Sequence, residues 1–315
     1  MVPNLKYIHE REGEFKNYIY LNSKGLRDYE YPYEKNNSIY RIAIVGDSFT
    51  DATQVQFNET IPKIIENELR KNSSNYEVIN FGFGGFGLIP EAVMIKEEVL
   101  KYSPNIIVLN YFVGNDLNKI EYGSFNQFSD KFWIDLDNES LIKQTYYLST
   151  NTKILSFLTR NSMIYFFIKK FKNHRDKNAY GDSSLRLNQI YEINYSSNLD
   201  KNLNTTRFIF NYLKTNLARE NIIFLVVIIP TKEQVDAELF NKILVYNNKT
   251  IEEVDEDKLQ REIKNILNDL NIQYLDLLPE LRKENINNTF YYPIDGHFNK
   301  LGYQKAAELT LNKLK

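Results

Sequence analysis

The sequence predicts an α/β protein: a three-layer α/β/α sandwich with a parallel sheet of flavodoxin-like strand order and a helical insertion. Three observations carry this expectation. Short runs rich in Ile and Val recur at residues 42–45, 78–81, 106–109, 222–229 and 272–275, too short for helices and apolar on both faces, as strands buried in a parallel sheet are. Segments with helical spacing lie between or after them, at 61–70, 91–101, roughly 203–217, 259–270 and 300–314. Strands that alternate with helices need crossovers, and right-handed crossovers covering both sheet faces leave few topologies.

In chain order, residues 1–40 come first. They are polar and aromatic, are broken by Gly25 and Pro32, and read as an arm packed on a main domain of residues 41–315. The run at 42–45 is the first strand and 61–70 the helix after it; 78–81 and 91–101 repeat the unit, and 106–109 is the third strand. The stretch of about 119–200 is too long for an ordinary connection and should hold helices of its own, the clearest at 153–171. Two more strands, at 222–229 and 272–275, and the helices at 259–270 and 300–314 complete the pattern. No internal repeat is present.

Composition narrows the function classes. A chain of 315 residues with 43% hydrophobic content can bury a large core. Lys plus Arg number 39 against 41 for Asp plus Glu, a net charge of -2 that gives no pull toward nucleic acid. The absence of Cys excludes disulfides, thiolate catalysis and thiolate zinc sites. Only His9, His174 and His297 remain as imidazoles, and one His among scattered carboxylates gives no spaced ligand set, so neither a metal nor an organic cofactor is expected. Residues 1–10 lack the basic start and apolar run of a signal peptide and no stretch reaches 18 apolar residues, so the chain as written reads as cytoplasmic. Residues 153–175 carry six Lys or Arg and no acid. An amphipathic flank or lid is the favoured reading there, and contact with an anionic membrane surface the less favoured one.

Four short blocks stand where chemistry could sit. The first strand runs into Gly46-Asp47-Ser48-Phe49-Thr50; ligands of open parallel sheets bind at the carboxyl ends of strands, although a Ser there can also be only a helix cap. The second runs into Gly82-Phe83-Gly84-Gly85-Phe86-Gly87, which lets backbone approach a ligand and offers N–H donors. By letter this also matches a dinucleotide fingerprint. The glycines follow the second strand, however, and the next strand ends Leu109-Asn110-Tyr111-Phe112 without the acid that would hold a ribose. Asn115, after the third strand, is either a turn residue or an amide donor to a developing oxyanion. Asp295-Gly296-His297, before the last helix, is either turn chemistry or a base with its orienting acid. A second Gly-Asp-Ser at residues 181–183 follows no apolar strand and is a chance recurrence; Ser183 should lie outside the cleft.

Together and in this order, the four blocks resemble the SGNH (GDSL-like) hydrolase superfamily, over about 41–118 and 220–314. The resemblance implies Ser48 as nucleophile, His297 as general base and Asp295 as its orienting acid. It also implies an oxyanion hole of the Ser48 N–H, the Gly85 N–H and the Asn115 side-chain amide, with Gly84 one residue from Gly85 as the alternative. The superfamily's usual last block is Asp-x-x-His, whereas Asp295 precedes His297 by two, a spacing similar to that of its polysaccharide-acetylating branches. Asn22-Ser23-Lys24-Gly25-Leu26-Arg27, followed by Glu30-Tyr31-Pro32, resembles a leader of one group of these proteins. The implied activity is a serine esterase acting on a small acyl ester, an O-acetyl group on a glycan above a long-chain lipid. An O-acyltransferase using the same triad is the alternative, and a silent carbohydrate-binding scaffold is the reading from another class. Neither His9 nor His174 lies in a segment expected to reach the carboxyl edge of the sheet.

Overall fold

The structure, a computed structural model, describes residues 3–117, 130–135, 140–145, 185–285 and 289–315. It begins with an antiparallel hairpin, β1 (Lys6–Arg11) and β2 (Phe15–Tyr20). The central sheet follows: β3 (Tyr40–Gly46), β4 (Tyr76–Gly82), β5 (Ile106–Phe112) and, after a second small hairpin of β6 (Asp130–Asp135) and β7 (Ser140–Thr145), β8 (Ile223–Ile229) and β9 (Gln273–Asp276). Its five strands are all parallel, in the order β4-β3-β5-β8-β9. That is the flavodoxin-like order. The chain leaves β3 in one direction and returns past it to β5, so the crevice of a topological switch lies above the carboxyl ends of β3 and β5.

The helices are α1 (Ser48–Asp51), α2 (Ile61–Arg70), α3 (Leu88–Glu97), α4 (Ser197–Arg219), α5 (Lys232–Val235), α6 (Ala237–Tyr246), α7 (Lys258–Asp269), α8 (Leu278–Glu284) and α9 (Lys300–Leu314). Alternate side chains of each strand enter opposite layers, as the period of two requires. Ala43, Val45, Ile79, Phe81, Ile107, Leu109, Val226 and Ile228 join Ala92, Val93, Ile209, Phe210 and Ile263 in one layer. Ile42, Ile44, Val78, Val108, Leu225 and Val227 join Ile61, Ile65, Tyr303 and Ala307 in the other. The helix expected over 91–101 divides into α3 and a 3₁₀ turn at Val99–Tyr102, and the one expected over 203–217 begins at Ser197, whose preceding Ser196 caps it. The insertion expected at 119–200 to be helical falls mostly outside the described residues; its described part contains the β6–β7 hairpin.

The arm wraps the β4 edge and the loop after β3. Asn22 organises it: its side-chain oxygen accepts the Lys24 and Leu26 N–H groups at 3.0 and 2.9 Å, and Gly25 turns with φ +80°. This delivers Arg27 to the loop after α1, where its guanidinium donates to the carbonyls of Asp51, Ala52 and Val55. Ala52 holds φ +56°, a left-handed conformation that costs a non-glycine residue about 1 kcal/mol, so these three bonds stabilise a turn the chain would not adopt alone. The next residue, Asp28, accepts the Asn80 N–H of β4 at 2.7 Å and pairs with the buried Lys63 of α2 at 2.7 Å.

One glycine decides how close β4 comes to α1. A Cβ on Gly82 would run into the backbone of Thr50 and Asp51, atoms that cannot swing aside, whereas one on Gly84 would meet only Asp51 Oδ2 at 3.5 Å and Ser48 Cβ at 3.9 Å. Gly82→Ala is therefore expected to destabilise the protein by about 1–3 kcal/mol and to displace α1, with Gly84→Ala nearly neutral in stability. Urea denaturation of the two variants checks this; equal losses would mean that close approach is not what Gly82 provides.

Candidate active site

Ser48 opens α1 directly after β3. Asp47 caps that helix, its Oδ1 accepting the Phe49 N–H at 2.8 Å, so the sequence Gly-Asp-Ser makes a strand-to-helix turn with the serine on its outer side. Gly46 is needed in the same turn, because a Cβ there would collide with Thr50 Oγ1. Ser48 stays partly exposed while Asp47, Phe49 and Thr50 are buried. Capping and exposure are thus divided between two residues: Asp47 caps, and Ser48 faces the crevice.

The loop between Tyr291 and Phe298 brings the other partners. Tyr291 and Phe298 form an isolated antiparallel bridge, the Tyr292 N–H donates to the His297 carbonyl at 2.8 Å, and Gly296 turns with φ +83°. The tight turn lets residues only two apart meet side by side, which accounts for the short Asp-x-His spacing. His297 Nδ1 lies 2.6 Å from Asp295 Oδ1, and His297 Nε2 lies 2.8 Å from Ser48 Oγ. Asn299, next in the chain, is a helix cap: its Oδ1 accepts the N–H groups of Leu301 and Gly302 at the start of α9.

Electrostatics assign the protons. Burial alone would raise the Asp295 carboxyl, but the hydrogen bond and charge of His297, with Arg11 and His9 behind them, more than offset it and hold the acid below its ordinary range. An ionised carboxylate can only accept, so Nδ1 of His297 carries the hydrogen and Nε2 presents its lone pair to the Ser48 hydroxyl. The ring is flanked by Phe49, with centroids 4.8 Å apart.

The oxyanion candidates take up positions on the adjoining loops. Asn115 Nδ2 donates to Asp47 Oδ2 at 2.7 Å, a contact that fixes the amide's orientation because a carboxylate cannot donate back. An amide nitrogen has two hydrogens, and this bond uses one. In the glycine loop Gly85 adopts φ +87°, and the neighbouring Gly84 N–H is bound to the Asp51 carboxylate. Asp116, the third residue of the Gly-Asn-Asp block, accepts the Phe112 N–H at 2.7 Å and closes the turn.

Two features of the site were not read from the sequence. Asp51, one helical turn after Ser48, has its carboxyl pushed up to about 6 by burial, with Asp47 adding to the effect and Arg27, the Gly84 N–H and His297 opposing it. The spacing Ser-x-x-Asp on a helix starting with the serine was the available signal. Because its folded value is raised above the ordinary 3.8, the stability tied to the protonated acid is fully present below that pH and lost as pH climbs through about 6. Asp51→Asn is expected to be more stable than the parent by about 1–3 kcal/mol at pH 8, with the gap vanishing near pH 4, as urea denaturation at the two pH values would show. The second feature corrects an expectation. His9 was placed away from the carboxyl edge, yet β1 brings it into the field of both Asp295 and His297, and burial lowers its imidazole first of all. Period-two alternation places His9 and Arg11 on the same face of β1, where His9 is half-buried and Arg11 stays exposed. His174, Ser183 and residues 153–175 lie outside the described residues.

Among the described residues no group of three or more His, Cys, Asp or Glu could hold a metal, and no helix is long and apolar enough to cross a membrane. Residues 191–315 match the model of a family described as SGNH hydrolase-like domain, acetyltransferase AlgX. That span includes Asp295 and His297 but not Ser48, Gly85 or Asn115. No curated protein matches the chain. Among solved structures it is similar to an acetyl xylan esterase, AlAXEase, at 16% identity over 87% of this chain and 100% of that one, with a TM-score of 0.45. It is also similar to a lipase/acylhydrolase from Enterococcus faecalis, at 12% identity over 88% and 95% of the two chains and a TM-score of 0.46. The SGNH hydrolase-like match thus covers the C-terminal part of the chain, residues 191–315, and the parallel sheet has the strand order expected of that fold.

Proposed function

We propose that the protein is a serine acyl-transfer enzyme that cleaves a small acyl ester, an O-acetyl group on a glycan, through an acyl-enzyme. The observation that carries this reading is the unbroken chain from Ser48 Oγ through His297 to Asp295, at 2.8 and 2.6 Å. Serine is a poor nucleophile at neutral pH. His297 Nε2 takes the hydroxyl proton as Ser48 Oγ bonds to the acyl carbon, and Asp295 steadies the imidazolium that forms. Negative charge develops on the carbonyl oxygen, for which the Ser48 and Gly85 N–H groups and the Asn115 amide are the donors. Collapse of the tetrahedral intermediate expels the sugar alkoxide, which takes the proton from His297. Water then repeats the sequence on the acyl-serine and releases acetate. No step needs a metal or an organic cofactor.

The second reading is an O-acyltransferase, favoured by the family model's description as an acetyltransferase. A sugar hydroxyl would replace water in the second half, with His297 removing its proton. Hydrolysis of p-nitrophenyl acetate with and without a sugar acceptor separates the readings. Acetate release by the protein alone supports the hydrolase, acetyl-sugar formation the transferase, and no turnover with either would overturn both in favour of a silent carbohydrate-binding scaffold.

A further inference from the structure

We propose that Arg11 and Glu14, at the turn of the N-terminal hairpin, are positioning residues of the catalytic machinery that hold the Asp295–His297 pair in its working geometry. The proposal rests on the triad reading above and extends it to a segment far from the active-site blocks in sequence. Its first support is the Glu14 carboxylate, whose side chain is only 4% exposed. Oε1 accepts the Ile294 N–H at 2.6 Å and Oε2 accepts the Asp295 N–H at 2.9 Å. A buried carboxylate with two charge-assisted bonds to consecutive amides fixes the backbone from which Asp295 springs. Its second support is Arg11, whose Nε lies 3.2 Å from Asp295 Oδ2, the oxygen His297 does not use, and 3.7 Å from Glu14 Oε2. Both oxygens of Asp295 are thereby held, one by the imidazole and one by the guanidinium. Rotation of that carboxylate, which would break its bond to Nδ1, is opposed from the other side.

The hairpin is itself anchored for this task. Asn17 donates to the Thr53 carbonyl at 3.1 Å and receives Gln56 Nε2 at 2.6 Å, and the Phe15 ring meets Tyr292 with centroids 5.2 Å apart. It thus bridges the loop after the nucleophile's helix and the loop that carries the base. A surface flap with no role would not place a buried Glu on the triad backbone and an Arg on the triad acid.

The charged and titratable groups gathered around the Asp295–His297 pair come from three sides. Asp295 and Tyr292 share its loop, His9, Arg11 and Glu14 face it from the hairpin, and Asp47 and Asp51 lie on the α1 side with Arg27 and Tyr303 behind them. Arg11 is the cation at the Asp295 carboxylate. Removing it strengthens the carboxylate's hold on an imidazolium and takes away a like charge, so a proton on the ring becomes harder to remove. In Arg11→Gln the acid limb of the kcat/KM profile is expected to move to higher pH, by a few tenths of a unit up to about one unit. Arg11→Lys, which keeps the charge, should return the limb to its place. Glu14→Gln puts an NH2 donor against one of two N–H donors, and should lower kcat by about 10- to 100-fold with KM little changed.

The experiment measures pH profiles of p-nitrophenyl acetate hydrolysis for the full-length protein and these three variants, with Ser48→Ala alongside. An NMR titration of the 15N-labelled His297 ring in the parent and Arg11→Gln reads the same displacement without depending on turnover. An unmoved limb, an unmoved ring titration and a kcat within two-fold in Arg11→Gln would overturn the proposal, even if Glu14→Gln failed to fold. A dead Ser48→Ala with normal Arg11 variants sinks only the role of the hairpin. A Ser48→Ala protein as active as the parent sinks the triad reading itself.

Discussion

Ser48→Ala and His297→Ala are each expected to reduce kcat by about a million-fold, and the double variant to lose little more than either alone. On the proposed reading nucleophile and base act as one unit: without Nε2 at 2.8 Å the hydroxyl would not be activated, and without the hydroxyl the imidazole would have nothing to deprotonate. Folding should be intact, because Asp47, not Ser48, caps α1 and His297 is partly exposed. The position of His9 makes one control necessary, since among the described residues it is the other imidazole within the field of Asp295. His9→Gln should retain turnover within a few-fold. The assignment is falsified if His297→Ala keeps near-parental activity, and a large loss in His9→Gln with a small one in His297→Ala would mean that the base is the hairpin's imidazole. In the parent, activity should rise from acid toward neutral pH, because the base must be neutral to accept a proton. Asp51 ionises at about 6 beside this site, so the profile should be compared with that of Asp51→Asn before one rise is assigned to one group.

The sheet was legible because four of its five strands are mostly buried on both faces, the edge strand β9 being only half-buried. Such strands write themselves as continuous Ile and Val runs, and all five runs are strands with boundaries moved by a few residues. Strand order followed from a rule of handedness, not from any residue. What escaped was held by side-chain bonds between distant segments. The β1–β2 hairpin carries Lys6, Glu10, Arg11, Lys16 and Asn17 among its aromatics and so shows no apolar run; it is fixed by Asn17 on Thr53 and Glu14 on the Asp295 loop, contacts that no local pattern records. The short helices α5 and α6, between β8 and α7, and α8, after β9, were not expected from the sequence, and α5 is a single turn closed by a Thr231–Gln234 capping box. At the site, the four blocks were legible because glycine, asparagine and Asp-x-His punctuate strand ends. Asp51 and His9 were not, since neither stands out by type or spacing until the fold buries it.

Asn115→Ala is expected to lower kcat by about 100- to 1000-fold while leaving KM within a few-fold. On the proposed reading its amide serves an oxyanion that exists only in the transition state, so its loss removes differential stabilisation and little substrate binding. The structure adds a second consequence. Asn115 Nδ2 also donates to Asp47 Oδ2, and Asp47 is fully buried and caps the helix that begins with the nucleophile. The alanine variant therefore leaves a buried carboxylate oxygen short of one donor, a loss of about 1–3 kcal/mol in unfolding free energy. Asn115→Asp separates the two effects. It places a second carboxylate 2.7 Å from Asp47 where an amide now sits, and two such charges cannot both ionise at that distance, so one must take a proton. That variant should be less stable than the alanine at pH 8 and recover as pH falls, while its kcat stays low throughout because no amide donor returns. A kcat loss that tracks stability in both variants, or an increase in KM that accounts for the whole effect, would remove Asn115 from the oxyanion hole and leave it as a brace for Asp47.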